Sequence, residues 1–81
     1  MKYFVYILTC NDNTYYIGYT NNLQKRLKIH NLKKGAKYTR GRTPVVISYF
    51  ESFNTLSQAL KREYQLKKLT KLEKTKIINQ I

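Results

Sequence analysis

The stretch Asn13–Thr20, with the sequence NTYYIGYT, carries three tyrosines within five residues and interrupts that aromatic run with Gly18. Upstream of it, Tyr3–Thr9 has the sequence YFVYILT, whose β-branched and aromatic side chains are typical of a buried strand. The intervening residues 11–13, Asn-Asp-Asn, tolerate the left-handed backbone angles of a tight turn. The sequence therefore predicts an antiparallel β-hairpin in which this stretch supplies the second strand.

The register of this hairpin decides which tyrosines meet. If Cys10 pairs with Thr14, Tyr6 lies opposite Gly18 and shares one face of the sheet with Tyr16 on the diagonal. Gly18 then leaves that face open, and we expect a phosphate to approach over it, so that a Gly18→Val substitution costs activity more than folding. Taken alone, the hairpin favours the simpler interpretation that both tyrosines are ordinary core residues.

After the hairpin, the apolar spacing becomes helical. Leucines at positions 23, 27 and 32 predict a helix that is capped by Asn21 or Asn22 and ends at Gly35 in a left-handed conformation. Residues 36–44, AKYTRGRTP, predict a basic loop, and residues 45–53, VVISYFESF, predict a third strand.

Two capping boxes mark the C-terminal helices. Thr55 with Gln58, and Thr70 with Glu73, each place a hydroxyl three residues before a side chain that can return the hydrogen bond. They predict one helix from residue 56 towards residue 69 and a second from residue 70 to residue 81.

The predicted order of elements is β-β-α-β-α-α. It predicts the α+β class, with a three-stranded antiparallel sheet flanked by helices. A chain of 81 residues is long enough for one compact core, so residues 1–81 are predicted to form a single domain.

The first helix carries two polar residues on the face that should pack inward. Leu23, Arg26, Leu27 and His30 follow the i, i+3, i+4, i+7 pattern of one helical stripe. A buried arginine is costly without an anionic partner, because its charge loses the hydration of water. The partner is either a structural carboxylate or a bound phosphate, and the planar guanidinium suits phosphate well.

The second long helix repeats this pattern with an acid. Leu56, Ala59, Leu60 and Glu63 form a stripe of the same spacing. Two interpretations of Glu63 remain open: a salt bridge with Arg26, or a ligand for a hard divalent cation that prefers oxygen donors.

The inward polar residues combine phenols, a guanidinium, an imidazole and a carboxylate. Such a set can move protons, stabilise charge and hold one metal ion, which fits phosphoester cleavage. The chain has only four Asp and Glu residues, too few for a two-metal site. The candidate catalytic residues are Tyr6, Tyr16, Arg26, His30 and Glu63.

The charge balance points to a polyanionic partner. Sixteen Lys and Arg residues face four acids, giving a net charge of +12, which favours nucleic acid over a merely solubilising lysine surface. The single cysteine, Cys10, excludes an intrachain disulfide and fits a reducing cytoplasm. The first apolar run is too short to cross a bilayer, so we expect no membrane partner and a cytoplasmic, nucleoid-associated protein.

Five short segments, in order, carry a family resemblance. They are FVY ending at Tyr6, YIG at Tyr16–Gly18, KRLKIHN with Arg26 and His30, KGAKYT at residues 34–39, and ALKREYQLK with Glu63. On these segments the chain resembles the GIY-YIG nucleases over residues 3–75, most closely their small stand-alone bacterial members. Only the tyrosine of the first motif is kept, and KGAKYT resembles a segment of the Slx-type structure-specific endonucleases.

The resemblance implies metal-dependent hydrolysis of DNA phosphodiesters. It implies that Glu63 binds one Mg²⁺ or Mn²⁺ beside the leaving 3′ oxygen and that Arg26 stabilises the charged transition state. Tyr6 would act as general base or orient the attacking water, supported by Tyr16 and His30. A free phenol has a pKa near 10, so we expect positive charge around Tyr6 to lower it.

The expected contacts with nucleic acid are mostly cationic. Cations of this kind bind phosphates and position the strand without reading bases, so we expect recognition of nucleic-acid structure, or specificity supplied by a protein partner. DNA is the expected ligand, with RNA as the alternative. The residues expected to bind nucleic acid are Gly18, Lys34, Lys37, Tyr38, Arg40 and Arg42.

Two alternatives to a nuclease remain open at this stage. One is a nucleic-acid-binding module with the same fold and little or no cleavage activity. The other is a basic protein associated with the ribosome or a membrane surface, in which the inward polar residues are only structural.

Overall fold

The computed structural model describes residues 1–80 and contains, within them, three strands and four helices. None of these helices is long and apolar enough to span a bilayer. The elements confirm the predicted α+β class and the order β-β-α-β-α-α, with one added helical turn. They are β1 (Tyr3–Thr9), β2 (Tyr15–Thr20), α1 (Leu23–Asn31), α2 (Lys37–Arg40), β3 (Val46–Phe53), α3 (Leu56–Lys67) and α4 (Lys71–Ile78).

The sheet is antiparallel with the order β2-β1-β3, so the first strand is central. The hairpin register is the predicted one, because Tyr6 pairs with Gly18 and the Cys10 amide donates to the Thr14 carbonyl at 2.8 Å. Asn13 takes the left-handed conformation at the turn, with φ of 64°. This register fixes which side chains of β1 and β2 share a face.

Alternation along β1 sends successive side chains to two separate packing layers. One layer joins the sheet to α1 and contains Tyr6, Leu8, Cys10 and Val45 as its buried members. The other joins the opposite face to α3 and α4. Its buried members are Val5, Ile7, Ile17, Ala59 and Leu66.

The end of α1 differs from the prediction. The helix stops at Asn31, and the left-handed residue that follows is Lys33, with φ of 63°, whereas Gly35 has no positive φ. The Lys33 amide donates to the His30 carbonyl at 3.0 Å, and the Lys34 amide donates to the Ile29 carbonyl at 3.1 Å. This pair of bonds is a Schellman ending, so the turn closes before Gly35 is reached.

The segment predicted as a basic loop contains a helical turn. Within it, α2 covers Lys37–Arg40, and its only buried residue is Thr39. Four residues are too few to show an amphipathic period, so the sequence pattern could not predict this turn. A tertiary contact helps to hold this turn in place, because the Thr39 hydroxyl lies 2.9 Å from a ring nitrogen of His30.

The two capping sites differ. Thr70 and Glu73 form the predicted reciprocal capping box at the start of α4. At the start of α3 the Thr55 hydroxyl accepts a hydrogen bond from the Gln58 backbone N–H at 3.2 Å, which is one of the two bonds of a capping box. Helix α3 ends at Lys67, short of the predicted residue 69, and α4 ends at residue 78. The predicted continuation of α4 to residue 81 reaches beyond the described residues.

The buried face of α3 is rotated from the predicted stripe. Ala59 and Leu66 are fully buried, whereas Leu56 and Leu60 are 39% and 40% exposed. The prediction that these two leucines belong to the core is therefore wrong. Leu66 follows Ala59 by seven positions, which is two helical turns. The buried stripe of α3 therefore lies about one turn closer to the C-terminus than predicted and includes the half-buried Glu63.

Candidate active site

The central contact of the site joins β1 to α1. The Tyr6 hydroxyl lies 3.0 Å from Nε2 of His30, and both residues are buried, at 2% and 0% exposure. The Tyr16 ring packs beside them, with its centroid 6.5 Å from that of Tyr6 and 5.4 Å from that of His30. The structure therefore brings together three of the predicted site residues from three different elements.

Burial sets the protonation of this pair. It lowers the pKa of His30 to about 4, with the neighbouring Arg26 charge acting in the same direction, so the imidazole is neutral near pH 7. It also raises the pKa of Tyr6, because desolvation outweighs the opposing influence of the Arg26 guanidinium. Arg26 does act to lower the pKa of Tyr6, as expected, but burial outweighs it, so the pKa is raised and the phenol is protonated at neutral pH.

Gly18 has a different role from the predicted one. A Cβ atom at this position would lie 2.6 Å from the Tyr6 oxygen and 2.8 Å from Cζ of the same ring, and 3.2 Å from the Tyr16 ring. Gly18 is itself buried, so the expected open space for a phosphate is filled by the Tyr6 phenol. The glycine lets that phenol lie across β2 and reach His30.

Arg26 lies on the predicted inward stripe but is only half-buried. Within residues 1–80 it forms no salt bridge, and the predicted alternative of an Arg26–Glu63 pair is wrong. The guanidinium borders a surface groove together with residues of β2 and the start of α3. Its charge acts to lower the pKa of both Tyr6 and His30, so it lies close to the site, and no carboxylate of residues 1–80 pairs with its guanidinium.

The four acidic residues of the chain differ in how fully they are bonded. Asp12 bonds Thr14 and Arg42, Glu51 bonds Tyr49 and Arg62, and Glu73 caps α4. Among residues 1–80, Glu63 forms one salt bridge, with Lys67 Nζ at 3.5 Å, and its side chain is 16% exposed. A carboxylate with spare lone pairs at a partly covered site is the arrangement expected of a ligand for a cation.

Glu63 fits a single metal ion with an incomplete protein shell. Within residues 1–80 there is no group of three or more His, Cys, Asp and Glu side chains that could enclose an ion. Mg²⁺ needs no such enclosure, because it keeps several waters and is commonly held by one or two carboxylates together with substrate phosphates. The residues present are compatible with that mode and do not fit a two-metal site.

A stack of side chains leads from the site to the surface. The Tyr38 ring stacks on Tyr16 at 6.1 Å between centroids, and the Arg42 guanidinium lies 4.1 Å above the Tyr38 ring. Arg42 Nε also donates to Asp12 at 3.0 Å, and Nη1 donates to the Tyr38 carbonyl at 2.7 Å. Arg42, predicted as a phosphate contact, is thus largely occupied within the protein and fixes Tyr38 in place.

Among residues 1–80, the other predicted cationic contacts have no side-chain hydrogen bond or cation–π contact like those of Arg42. Lys34, Lys37 and Arg40 are exposed and lie on α2 and the turn before it, beside the Tyr38 stack. Within residues 1–80 none of them forms a salt bridge. They give the entrance of the site a positive rim.

Thr39 and Gly35 are site residues that were not among the predicted ones. Thr39 is fully buried and its hydroxyl lies 2.9 Å from Nδ1 of His30. A Cβ atom on Gly35 would lie 2.5 Å from the same nitrogen. Both lie in the KGAKYT segment, which carries part of the family resemblance, so that segment was the available signal for them.

With this geometry in view, the comparisons with known proteins decide the family. The GIY-YIG catalytic domain matches residues 2–76. The chain belongs to the GIY-YIG family. The predicted resemblance is therefore confirmed, and the aligned region includes every candidate site residue of this GIY-YIG domain.

Relatives of this GIY-YIG protein occur in bacteria and archaea. A UPF0213 protein of Bacillus velezensis is 54% identical over 79 residues, which cover 98% of this chain and 80% of the relative. A UPF0213 protein of Halobacterium salinarum is 51% identical over 70 residues, which cover 86% of this chain and 91% of the relative.

Two solution structures show the same GIY-YIG fold. That of the UPF0213 protein BH0048 from Bacillus halodurans has a TM-score of 0.63 and 39% identity, and the match covers 98% of this chain and 84% of the other. That of EF2693 from E. faecalis has a TM-score of 0.67 and 39% identity, covering 99% and 85%. These matches support the arrangement of sheet and helices described above.

Proposed function

We propose that this protein is a metal-dependent endonuclease that hydrolyses DNA phosphodiester bonds and is directed by DNA structure more than by sequence. The observation that carries the proposal is the buried hydrogen bond between the protonated phenol of Tyr6 and the neutral imidazole of His30. A phenol held against a proton acceptor, beside an arginine without a carboxylate partner in residues 1–80, is suited to activating water next to a phosphate.

The proton path runs from water through Tyr6 to His30. The attacking water gives a proton to the Tyr6 oxygen while the phenolic proton is transferred to Nε2 of His30 within the existing hydrogen bond, whose O···N distance is 3.0 Å. The new P–O bond forms as the bond to the leaving 3′ oxygen breaks. The raised pKa of Tyr6 makes a resting phenolate costly, so transfer to His30 accompanies the attack and does not precede it.

Arg26 is proposed to bind the phosphate that is attacked. Charge builds up on the non-bridging oxygens in the transition state, and a planar guanidinium can donate two parallel hydrogen bonds to them. Because no carboxylate of residues 1–80 pairs with the guanidinium, no salt bridge has to be broken when the phosphate arrives. The same developing negative charge favours the imidazolium form of His30, whose pKa is low in the absence of substrate.

Glu63 is the residue proposed to hold one Mg²⁺ or Mn²⁺. When bound, the ion supplies a Lewis acid that stabilises charge on the leaving oxygen. Glu63 itself holds its carboxylate at the edge of the site, where its charge reaches Tyr6 and contributes to raising the pKa of that phenol.

The positive rim is proposed to position the strand. Lys34, Lys37 and Arg40 offer phosphate contacts, and Tyr38 offers an exposed ring edge beside them. Contacts of this kind carry no base code, so specificity would come from DNA shape or from a protein partner. A DNA-directed protein of this charge would work in the cytoplasm, close to the nucleoid.

Cleavage assays with metal-site variants test the proposal. The purified protein is incubated with single-stranded, duplex, flap and four-way DNA and with duplex RNA, in Mn²⁺ or EDTA. We expect Mn²⁺-dependent cutting of DNA that falls at least about 100-fold in Glu63→Gln, since the ion loses its anionic ligand.

Glu73→Gln is the matched control for this loss of charge, because glutamine also completes a capping box. It should cut like the wild type. Cutting that persists in Glu63→Gln, or in EDTA, would contradict the proposal.

A second candidate function is a nucleic-acid-binding module that cuts slowly or not at all. The observation that favours it is the near-complete burial of Tyr6 and His30, at 2% and 0% exposure, which limits access of water to the phenol. This alternative is supported if the protein binds DNA or RNA tightly and no substrate is cut with either Mg²⁺ or Mn²⁺.

A further inference from the structure

The His30 ring is hydrogen-bonded on the side that faces away from Tyr6 as well as on the side that faces it. The Thr39 hydroxyl lies 2.9 Å from His30 Nδ1 and 2.9 Å from the Ala36 carbonyl oxygen. Both Thr39 and His30 are fully buried, and in residues 1–80 every buried side-chain nitrogen or oxygen has a partner. The ring is thus bonded at both nitrogens.

The count of hydrogens fixes the direction of these bonds. A hydroxyl carries one proton, and Thr39 donates it to the Ala36 carbonyl, which can only accept. Towards His30 the same oxygen therefore accepts, so the proton of that bond belongs to Nδ1. A neutral imidazole has a single N–H, which leaves Nε2 with a lone pair directed at the Tyr6 hydroxyl.

Gly35 fixes the position of the ring from a second direction. A Cβ atom there would lie 2.5 Å from Nδ1 and 3.0 Å from Cε1 of His30. The backbone of the turn between α1 and α2 therefore packs directly against the imidazole. Because φ at Gly35 is not positive, close approach and not backbone conformation is the reason that glycine is needed here.

We propose that Thr39 and Gly35 are positioning residues that hold His30 in the tautomer protonated at Nδ1, so that Nε2 always faces Tyr6 as a proton acceptor. Neither residue touches substrate in this account; both act through His30. The catalytic consequence rests on the proposed nuclease function, whereas the tautomer is inferred from the hydrogen bonds of the Thr39 hydroxyl and is independent of that function.

The tautomer can be measured without any assay of activity. In ¹⁵N-labelled protein at pH 7, correlations between the ring protons and ring nitrogens of His30 distinguish a protonated from an unprotonated nitrogen. The chain has one histidine, so the signals need no further assignment to a residue. We expect a protonated Nδ1 and an unprotonated Nε2; a protonated Nε2, or an imidazolium, would overturn the proposal.

Substitutions at Thr39 test the consequence for catalysis. Thr39→Val removes the hydroxyl and nearly keeps the volume, so we expect His30 to populate both tautomers and kcat to fall roughly 10- to 100-fold with KM unchanged, as when the orienting partner of a functional histidine is lost. Thr39→Ser restores the hydroxyl and should recover both the spectrum and most of kcat.

Thr75→Val is the matched control for the loss of a hydroxyl. Thr75 makes the same kind of bonds, to the Tyr15 hydroxyl at 2.7 Å and to the Lys71 carbonyl at 2.9 Å, but in α4 and outside the site. It should leave the His30 spectrum and kcat unchanged. An unaltered His30 spectrum in folded Thr39→Val would overturn the role of the hydroxyl.

Failure of the nuclease proposal can be told apart from failure of this one. If no substrate is cut but Nδ1 is protonated in the wild type and changes in Thr39→Val, the tautomer assignment stands and the function falls. If DNA is cut at the wild-type kcat by Thr39→Val, the positioning role falls and the nuclease remains.

Discussion

Three neighbours fix the position of the Tyr6 side chain, and Gly18 is one of them. Its phenol lies across the backbone of Gly18, donates towards His30 and packs beside Tyr16. Alternation along β1 and β2 and the helical spacing of α1 were enough to predict that these side chains meet. The depth of burial was not predictable from the sequence, and that depth is what raises the pKa of Tyr6 against the influence of Arg26.

A methyl group at Gly18 should disturb the site and the fold together. In Gly18→Ala the new Cβ would overlap the Tyr6 oxygen at 2.6 Å, so the ring must move away from His30. We expect a loss of about 1–3 kcal/mol in the free energy of unfolding, typical of overpacking, and a clear fall in cleavage rate. Urea unfolding and a DNA cleavage assay measure the two effects.

Gly41→Ala is the control for this substitution, because a Cβ atom on Gly41 would have no neighbour within 4 Å and φ there is −97°. It should behave like the wild type in both assays. A Gly18→Ala protein of normal stability and activity would show that the Tyr6 ring is free to leave β2.

The buried His30 should make stability depend on pH. Its pKa is lowered to about 4 from an ordinary 6.5, so the unfolded chain binds this proton more tightly than the folded one. The stabilisation from a neutral His30 is therefore fully present above about pH 6.5 and is lost as the pH falls towards 4. The loss is on the order of 3 kcal/mol.

The free energy of unfolding, measured by urea titration between about pH 7.5 and about pH 4.5, reports mainly on His30, because the ordinary pKa values of carboxylates are lower. The chain has a single histidine, so no other imidazole contributes. A stability that is flat across this window would contradict the burial of a neutral His30.

At the scale of elements, long and periodic segments were predictable and short ones were not. The hairpin and the helices α1, α3 and α4 follow from alternation, leucine spacing and caps. The four-residue α2 has no period to detect, and its position depends on a tertiary bond from Thr39 to His30. The candidate site was incomplete for the same reason, since α2 and the turn before it hold the missed residues.

The end of α1 offers a test of how local geometry sets stability. Lys33 has φ of 63°, a conformation that costs an ordinary L-residue roughly 1 kcal/mol and glycine almost nothing. We expect Lys33→Gly to raise the free energy of unfolding by about 0.5–1 kcal/mol in urea titrations.

Lys33→Ala is the control, because it removes the same charge and keeps the strained conformation. It should not be stabilised. If both variants changed stability equally, the gain would belong to the lost charge and not to the backbone.

At the scale of the whole molecule, the charge of +12 indicates the class of partner but does not determine the fold. The fold follows from apolar patterning, and its class was predictable for that reason. The partner was predictable only as a class, because charge identifies a polyanion without naming it. That residues 1–81 form a single domain stays a prediction.

Binding to nucleic acid should weaken steeply with salt. Each phosphate neutralised by a lysine or arginine releases counterions, so log Kobs falls linearly with log[salt]. We expect Lys34→Gln and Lys37→Gln each to reduce the magnitude of this slope by about 1 in fluorescence titrations with duplex DNA.

Lys76→Gln is the control for these lysines, since Lys76 is exposed on α4, away from the positive rim. Its slope should match that of the wild type. An affinity that is independent of salt would contradict a phosphate-binding role for the rim.

The central claim is that the Tyr6 hydroxyl takes part in phosphodiester cleavage, and Tyr6→Phe tests it most directly. Phenylalanine keeps the ring across Gly18 and removes only the oxygen that faces His30. Tyr15→Phe is the matched control, because its hydroxyl bonds Thr75 outside the site. The single-turnover rate of DNA cleavage should fall at least about 100-fold in Tyr6→Phe, with DNA affinity and the Tyr15→Phe rate unchanged; a Tyr6→Phe protein that cuts DNA at the wild-type rate would contradict the account.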